Sequence, residues 1–124
     1  MKAVVISAIE NDIQKMVQVK DVERSLESYY KEIGCDIIDV TSRKIGDQWY
    51  DIICDDEGLL KDNPVVTAVD MSGHPALVGG LIICRYDGEG DFTDLTDEDV
   101  ELVMHNIVVS IQNMQARPVV MIEA

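Results

Sequence analysis

The sequence predicts one α+β domain, a mixed or mainly antiparallel sheet with two principal helices packed on it. Short apolar runs rich in β-branched residues recur along the chain, each bounded by glycine or acidic turn residues. Two longer stretches instead repeat their apolar residues at helical spacing. The 124 residues, 47% of them hydrophobic, are enough for one core and too few for two.

In chain order, Lys2–Ala8 is an apolar strand, and Gln14–Val19 alternates polar and apolar residues. With turn residues between them, the two form a predicted hairpin. Asp21 is placed to cap a helix through Ile33, with Val22, Leu26, Tyr29 and Ile33 on one face and Gly34 at the stop. Cys35–Ile45 and Gln48–Cys54 are strands joined by the turn Gly46–Asp47, and Asp55–Gly58 is a further turn. Val65–Met71 is strand-like, and Ser72–Pro75 is loop. Ala76–Tyr86 is the most apolar strand and belongs at the centre of the sheet. Gly79 and Gly80 within it predict a bulge or a close backbone approach.

The next stretch carries eight carboxylates from Asp87 to Glu101 and no Lys or Arg. Its first part, Asp87–Asp91, is a loop. Thr96 is a good N-cap, and Asp99 stands three residues on at the capping-box position. Leu95 and Val100 have hydrophobic-staple spacing. Asp97, Glu98 and Asp99 fill a first turn where the helix dipole favours negative charge. The apolar residues Val100, Val103, Met104, Ile107, Val108, Ile111 and Met114 then predict one long helix that lays this stripe on the sheet. Pro118 ends it, and a short strand follows.

Net charge is −14, from 24 acids against 10 bases. That disfavours direct nucleic-acid binding and an anionic membrane surface, and it favours basic partners. No apolar run approaches the roughly 20 residues that span a bilayer. Cys35, Cys54 and Cys84 are dispersed and odd in number, which suits buried free thiols in a cytoplasmic protein.

Several chemistries are weak on spacing. Asp87, Glu89, Asp91 and Glu98 match positions 1, 3, 5 and 12 of a calcium loop, but Phe92 stands where the turn requires glycine. The cysteines with His74 and His105 show no zinc spacing. Asp70, Ser72 and His74 alternate in one short loop without a nucleophile elbow. The glycines of Asp87–Asp91 sit among carboxylates that would repel a phosphate. Six aromatics, Trp49 and Phe92 among them, offer little for stacking sugars. No metal, cofactor or catalytic residue is therefore expected.

Three segments, "YYKEIGCDIIDV", "ICDDEGLLKDNP" and "LVGGLIICRYDGEGDFTDLTDEDVELV", resemble domain of unknown function 3846, a family of small phage, plasmid and bacterial proteins. Asp56, Glu57, Gly58, Leu60, Lys61, Asn63, Gly79, Gly80, Gly90, Phe92, Leu95 and Thr96 carry the resemblance. It covers roughly Met1 to Met104 and departs in the stretch "VVTAVDMSGHPAL". It implies a mobile-element or bacterial cytoplasmic context, no activity and no catalytic residue.

The expected function is a non-enzymatic interaction protein, an inhibitor whose acidic surface imitates phosphates and occupies a basic groove of a host protein. Its binding residues would be Asp87, Glu89, Asp91, Asp94, Asp97, Glu98, Asp99 and Glu101. The alternative is a small-ligand or nucleotide-binding module beside Gly79–Gly80, Trp49 and Ser72–His74, served by Arg43, Lys44, Lys61 and Arg85. An exposed strand edge would also permit a homo-oligomer, though no residue pattern fixes one.

Overall fold

A run such as "KAVVI" or "LIIC" has no polar face to offer water, so a strand built from it needs cover on both sides. The computed structural model shows that arrangement. It describes residues 1–7, 16–57, 66–69, 75–86, 88–89, 91–106, 108–112 and 117–121. Strands β1 (Lys2–Ile6), β2 (Val17–Asp21), β3 (Ile38–Ile45), β4 (Gln48–Asp55) and β7 (Leu81–Tyr86) form an antiparallel sheet in the order β2-β1-β7-β4-β3. The short strand β8 (Phe92–Thr93) pairs with β7. A second sheet joins β6 (Pro75–Val78), β5 (Val66–Val69), β10 (Arg117–Met121) and β9 (Val108–Gln112) in that order.

Alternation sorts the first sheet's side chains into two cores. Val4, Ile6, Tyr50, Ile52, Leu81 and Ile83 face one side, and Ala3, Val5, Ile53, Ile82 and Cys84 face the other. Register aligns them in rows: Val4, Ile83 and Ile52 lie side by side across three strands, and so do Val5, Ile82 and Ile53. The most apolar strand is central, as its composition requires.

The fold is α+β and mainly antiparallel, but the strands dominate it. Helix α1 (Leu26–Ile33) buries Tyr29 and Ile33 in the second core. Helix α2 (Asp97–Asn106) buries Asp99 and Val103, the latter in the first core. The cap of α1 is Ser25, whose Oγ accepts the Ser28 N–H at 3.2 Å. Asp21 is instead the last residue of β2, paired with Lys2. Gly34 ends the helix at φ +77, donating its N–H to the Tyr30 carbonyl.

The long C-terminal helix is not what forms. Helix α2 stops at Asn106, whose Nδ2 donates to the Leu102 carbonyl at 2.8 Å. Val108 and Ile111, expected on the helical stripe, belong to β9 and pair with β10 in a register from Val108↔Met121 to Gln112↔Arg117. Pro118 lies within β10 opposite Ile111. Ile107 and Met114 lie outside the described residues, and Met104 is 41% exposed.

Ala76–Tyr86 is likewise two strands. Gly79 breaks the run at φ +81. A side chain on Gly80 would come within 3.1 Å of the Ile33 Cα, so glycine is what lets the backbone pass the end of α1.

Candidate functional site

The acidic segment is held by the start of β1. The Lys2 N–H donates to Asp94 Oδ1 at 2.7 Å, and the Leu95 N–H donates to the Lys2 carbonyl at 2.9 Å. Leu95, 1% exposed, drops into the first core with Val100 packed against the same cluster. Helix α2 then runs toward the β3–β4 turn, where Leu102 would touch any side chain placed on Gly46.

The capping box is reciprocal. Asp99 N–H donates to Thr96 Oγ1 at 3.1 Å, and Thr96 N–H donates to Asp99 Oδ2 at 2.9 Å. The same carboxylate is 6% exposed and receives two more partners. Tyr50 OH donates to Oδ1 at 2.9 Å, and Arg85 Nη1 reaches both oxygens at 3.1 and 3.2 Å. Burial would raise the Asp99 carboxyl, but hydrogen bonds from Thr96, Tyr50 and Arg85 outweigh it and hold it below the ordinary carboxylate range. Tyr50 moves the other way. Burial and its hydrogen bond to Asp99 push its hydroxyl up to about 12. Both groups are thus fixed in one protonation state at neutral pH. That suits a structural tie better than a proton shuttle.

The predicted binding residues divide accordingly. Asp99 points into the protein. Asp97 is solvated but paired with Lys2 Nζ, a hydrogen bond that also lowers its carboxyl. Asp94 is spent partly on the Lys2 backbone. Glu89, Asp91, Glu98 and Glu101 are exposed, and Asp87 lies outside the described residues. The structure therefore does not gather all eight into one surface.

Of the described residues expected to frame a small-ligand pocket, Lys44 lies opposite Trp49, but Gly79–Gly80 are not beside them. Gly79 sits by the Asp55 Cβ at one end of β4, and Trp49 lies six residues away along that strand, roughly 20 Å. Arg85 is committed to Asp99. Ser72–His74, Asp70 and Lys61 lie outside the described residues. Trp49 is on a sheet face and 66% exposed.

Cys35, Cys54 and Cys84 are buried free thiols. Burial pushes Cys54 up to about 11 and Cys84 up to about 12, which keeps both unreactive. Among the described residues no cluster of His, Cys, Asp and Glu is arranged for a metal, and no helix is long and apolar enough to cross a membrane.

A family model described as Domain of unknown function (DUF3846) matches residues 1–107. The chain belongs to the DUF3846 family. No curated protein and no solved structure matches it. The DUF3846 match runs from β1 through the end of α2, so it includes the Tyr50–Arg85–Asp99 tie and the capping box, whereas β9 and β10 follow it.

Proposed function

We propose that the chain is a non-enzymatic interaction protein, an inhibitor of the kind a phage or other mobile element carries, acting through its acidic surface on a basic host protein. The outward side of α2 carries this reading. Glu98 and Glu101 stand in solvent, and Asp97, Val100, Glu101, Met104 and His105 line an open groove of about 380 Å³. Carboxylates around a partly apolar floor suit a basic, amphipathic surface, and solvated acids steer such a partner by long-range attraction. Phosphate mimicry would rest on Glu98, Glu101, Glu89 and Asp91, because Asp99 is turned inward.

The test is affinity capture from bacterial lysate over a salt series, with Glu98→Gln/Glu101→Gln alongside the native chain. The expected partner is basic, is released as salt rises and is recovered poorly by the neutral variant. Equal recovery by both proteins would refute the reading.

A second groove, of about 520 Å³ and lined by Lys2, Val19, Lys20, Asp21, Asp94 and Leu95, supports the alternative of a small-ligand or nucleotide-binding module, since it offers both signs of charge. A nucleotide that binds there would raise the melting temperature by mass action. A nucleotide panel that leaves that temperature unmoved would dispose of it.

A further inference from the structure

The sheet ends in two unlike edges. Strand β2 has five residues, and its Lys20 is paired with Glu32. Strand β3 has eight residues, and among the described residues no strand pairs with its outer side. It also carries Arg43 and Lys44, the only adjacent cations in a chain of net charge −14. Ion pairs among the described residues engage Lys2, Lys20 and Arg85, and leave Arg24, Lys31, Arg43 and Lys44 without a carboxylate; of these only Arg43 and Lys44 adjoin in the chain. The Arg43 guanidinium is under-satisfied: Nη1 reaches only the Ser42 carbonyl at 3.4 Å, and the buried Nε donates to nothing.

Register shows which backbone groups this edge offers. The two-residue turn Gly46–Asp47 makes Ile45↔Gln48 the closing hydrogen-bonded pair, so Arg43↔Tyr50, Thr41↔Ile52 and Asp39↔Cys54 follow as hydrogen-bonded pairs. The Asp56 N–H donating to the Ile37 carbonyl at 3.0 Å continues that series. The N–H and C=O groups of Ile38, Val40, Ser42 and Lys44 therefore point away from β4. Alternation sends the Arg43 and Lys44 side chains to opposite faces of the sheet. Lys44 lies opposite Trp49, one strand in from the edge, and Val40 is 40% exposed on the same face.

We infer that β3 is a docking edge for an extended acidic segment of another protein. The segment adds as a further strand through the outward groups of Val40, Ser42 and Lys44, and two adjacent carboxylates meet Arg43 on one face and Lys44 on the other. Main-chain hydrogen bonds supply affinity in this mode, and flanking side chains supply selectivity. Charge complementarity chooses the occupant: most of an acidic molecule repels an acidic segment, and Arg43 with Lys44 gives this edge the chain's one pair of adjacent cations. This surface is separate from the outward side of α2, so either assignment can fail alone.

The probe is an extended peptide of valines and threonines with two adjacent glutamates at its centre. Trp49, the chain's only tryptophan, reports docking by its fluorescence. We expect a saturable blue shift that weakens as salt rises, and affinity reduced about tenfold by Arg43→Glu/Lys44→Glu. The same peptide N-methylated on the residues that face the edge should not bind, a control that requires no change in the protein. Val40→Pro, which removes one outward N–H and leaves the β3–β4 ladder intact, should also abolish the shift. Binding of the N-methylated peptide, equal binding of a dilysine version or no shift at low salt would each overturn the inference. So would the same shift from an oligonucleotide, or sedimentation showing that a second copy of the chain occupies this edge.

Discussion

Glu98 and Asp99 are neighbours in one helical turn, and their surroundings are opposite. Glu98 is exposed on the outward side of α2. Asp99 turns inward to the capping box, Tyr50 and Arg85. A run of acids can thus hold two tasks at once. One carboxylate ties a helix start to the central strands, and the next is left for solvent or a partner. Tyr50 comes from β4 and Arg85 from β7, so Asp99 joins two sheet neighbours to α2.

The largest expected effect is that of Asp99→Ala. It would strand the Tyr50 hydroxyl in the core and remove the acceptor of the Thr96 N–H. Arg85, 42% exposed, would turn to water. A loss of about 2–3 kcal/mol follows, the cost of an unsatisfied buried group and below the usual cost of breaking a fully buried ion pair. Urea or thermal unfolding measures it. A loss below about 0.5 kcal/mol would erase the difference between the two acids, because that is the ordinary range for a surface site.

The pH dependence sharpens the same contrast. The folded carboxyl of Asp99 is depressed, so its contribution is present above the ordinary value of 3.8 and is lost as pH falls through the lower folded value. The melting temperature should drop on acidification below about pH 4. Asp99→Asn should show a shallower drop from a lower start. Tyr50 has the opposite sign. Its folded value is raised from 10.0 to about 12, so stability present below pH 10 declines as pH rises toward 12. The raised Cys54 and Cys84 thiols add to this alkaline loss from about pH 9 upward. A melting temperature flat across both limbs would contradict the tie.

Next in size is Thr96→Ala, which removes the side-chain acceptor of the Asp99 N–H. It should cost about 1 kcal/mol, typical of an N-cap threonine. Thr96→Ser should recover most of that. Failure of serine to rescue would mean that the loss lies elsewhere than the cap.

This start of α2 was legible in the sequence because every part of it is local. The Thr96–Asp99 spacing, Leu95 at N′ and the acidic first turn all lie within six residues. The paired two-residue turn at Gly46–Asp47 and the stop at Gly34 are legible for the same reason. The end of α2 was not. Val108 and Ile111 satisfy helical spacing and strand propensity alike. The choice falls to pairing with β10, ten or so residues on, and β10 in turn lies parallel to β5. Pro118 lies opposite Ile111 of β9, and among the described residues β5 pairs further along, at Val120 and Met121, so β10 is an edge where the proline stands. The partners of Asp99 were half legible. Alternation of Tyr50 with Ile52 and Cys54 implies a buried ring, and a buried hydroxyl needs an acceptor. Only the sheet order brings that hydroxyl and Arg85 to the same carboxylate.

The smallest expected effect completes the contrast. Glu98→Gln removes a charge from the first turn of α2, where the helix dipole favours it by about 0.3–1 kcal/mol at low salt. Asp97 and Asp99 share that turn, and neighbouring negative charge repels Glu98, so the two terms oppose each other. Solvent screens both, and the net change should stay within about 0.5 kcal/mol of zero and shrink further as salt rises. The same substitution, with Glu101→Gln, should still weaken capture of a basic partner. A protein whose stability is unmoved while its binding falls would place Glu98 on an interaction surface. A drop of 1 kcal/mol or more, about the value of a cap, would instead make Glu98 part of the tie that holds Asp99.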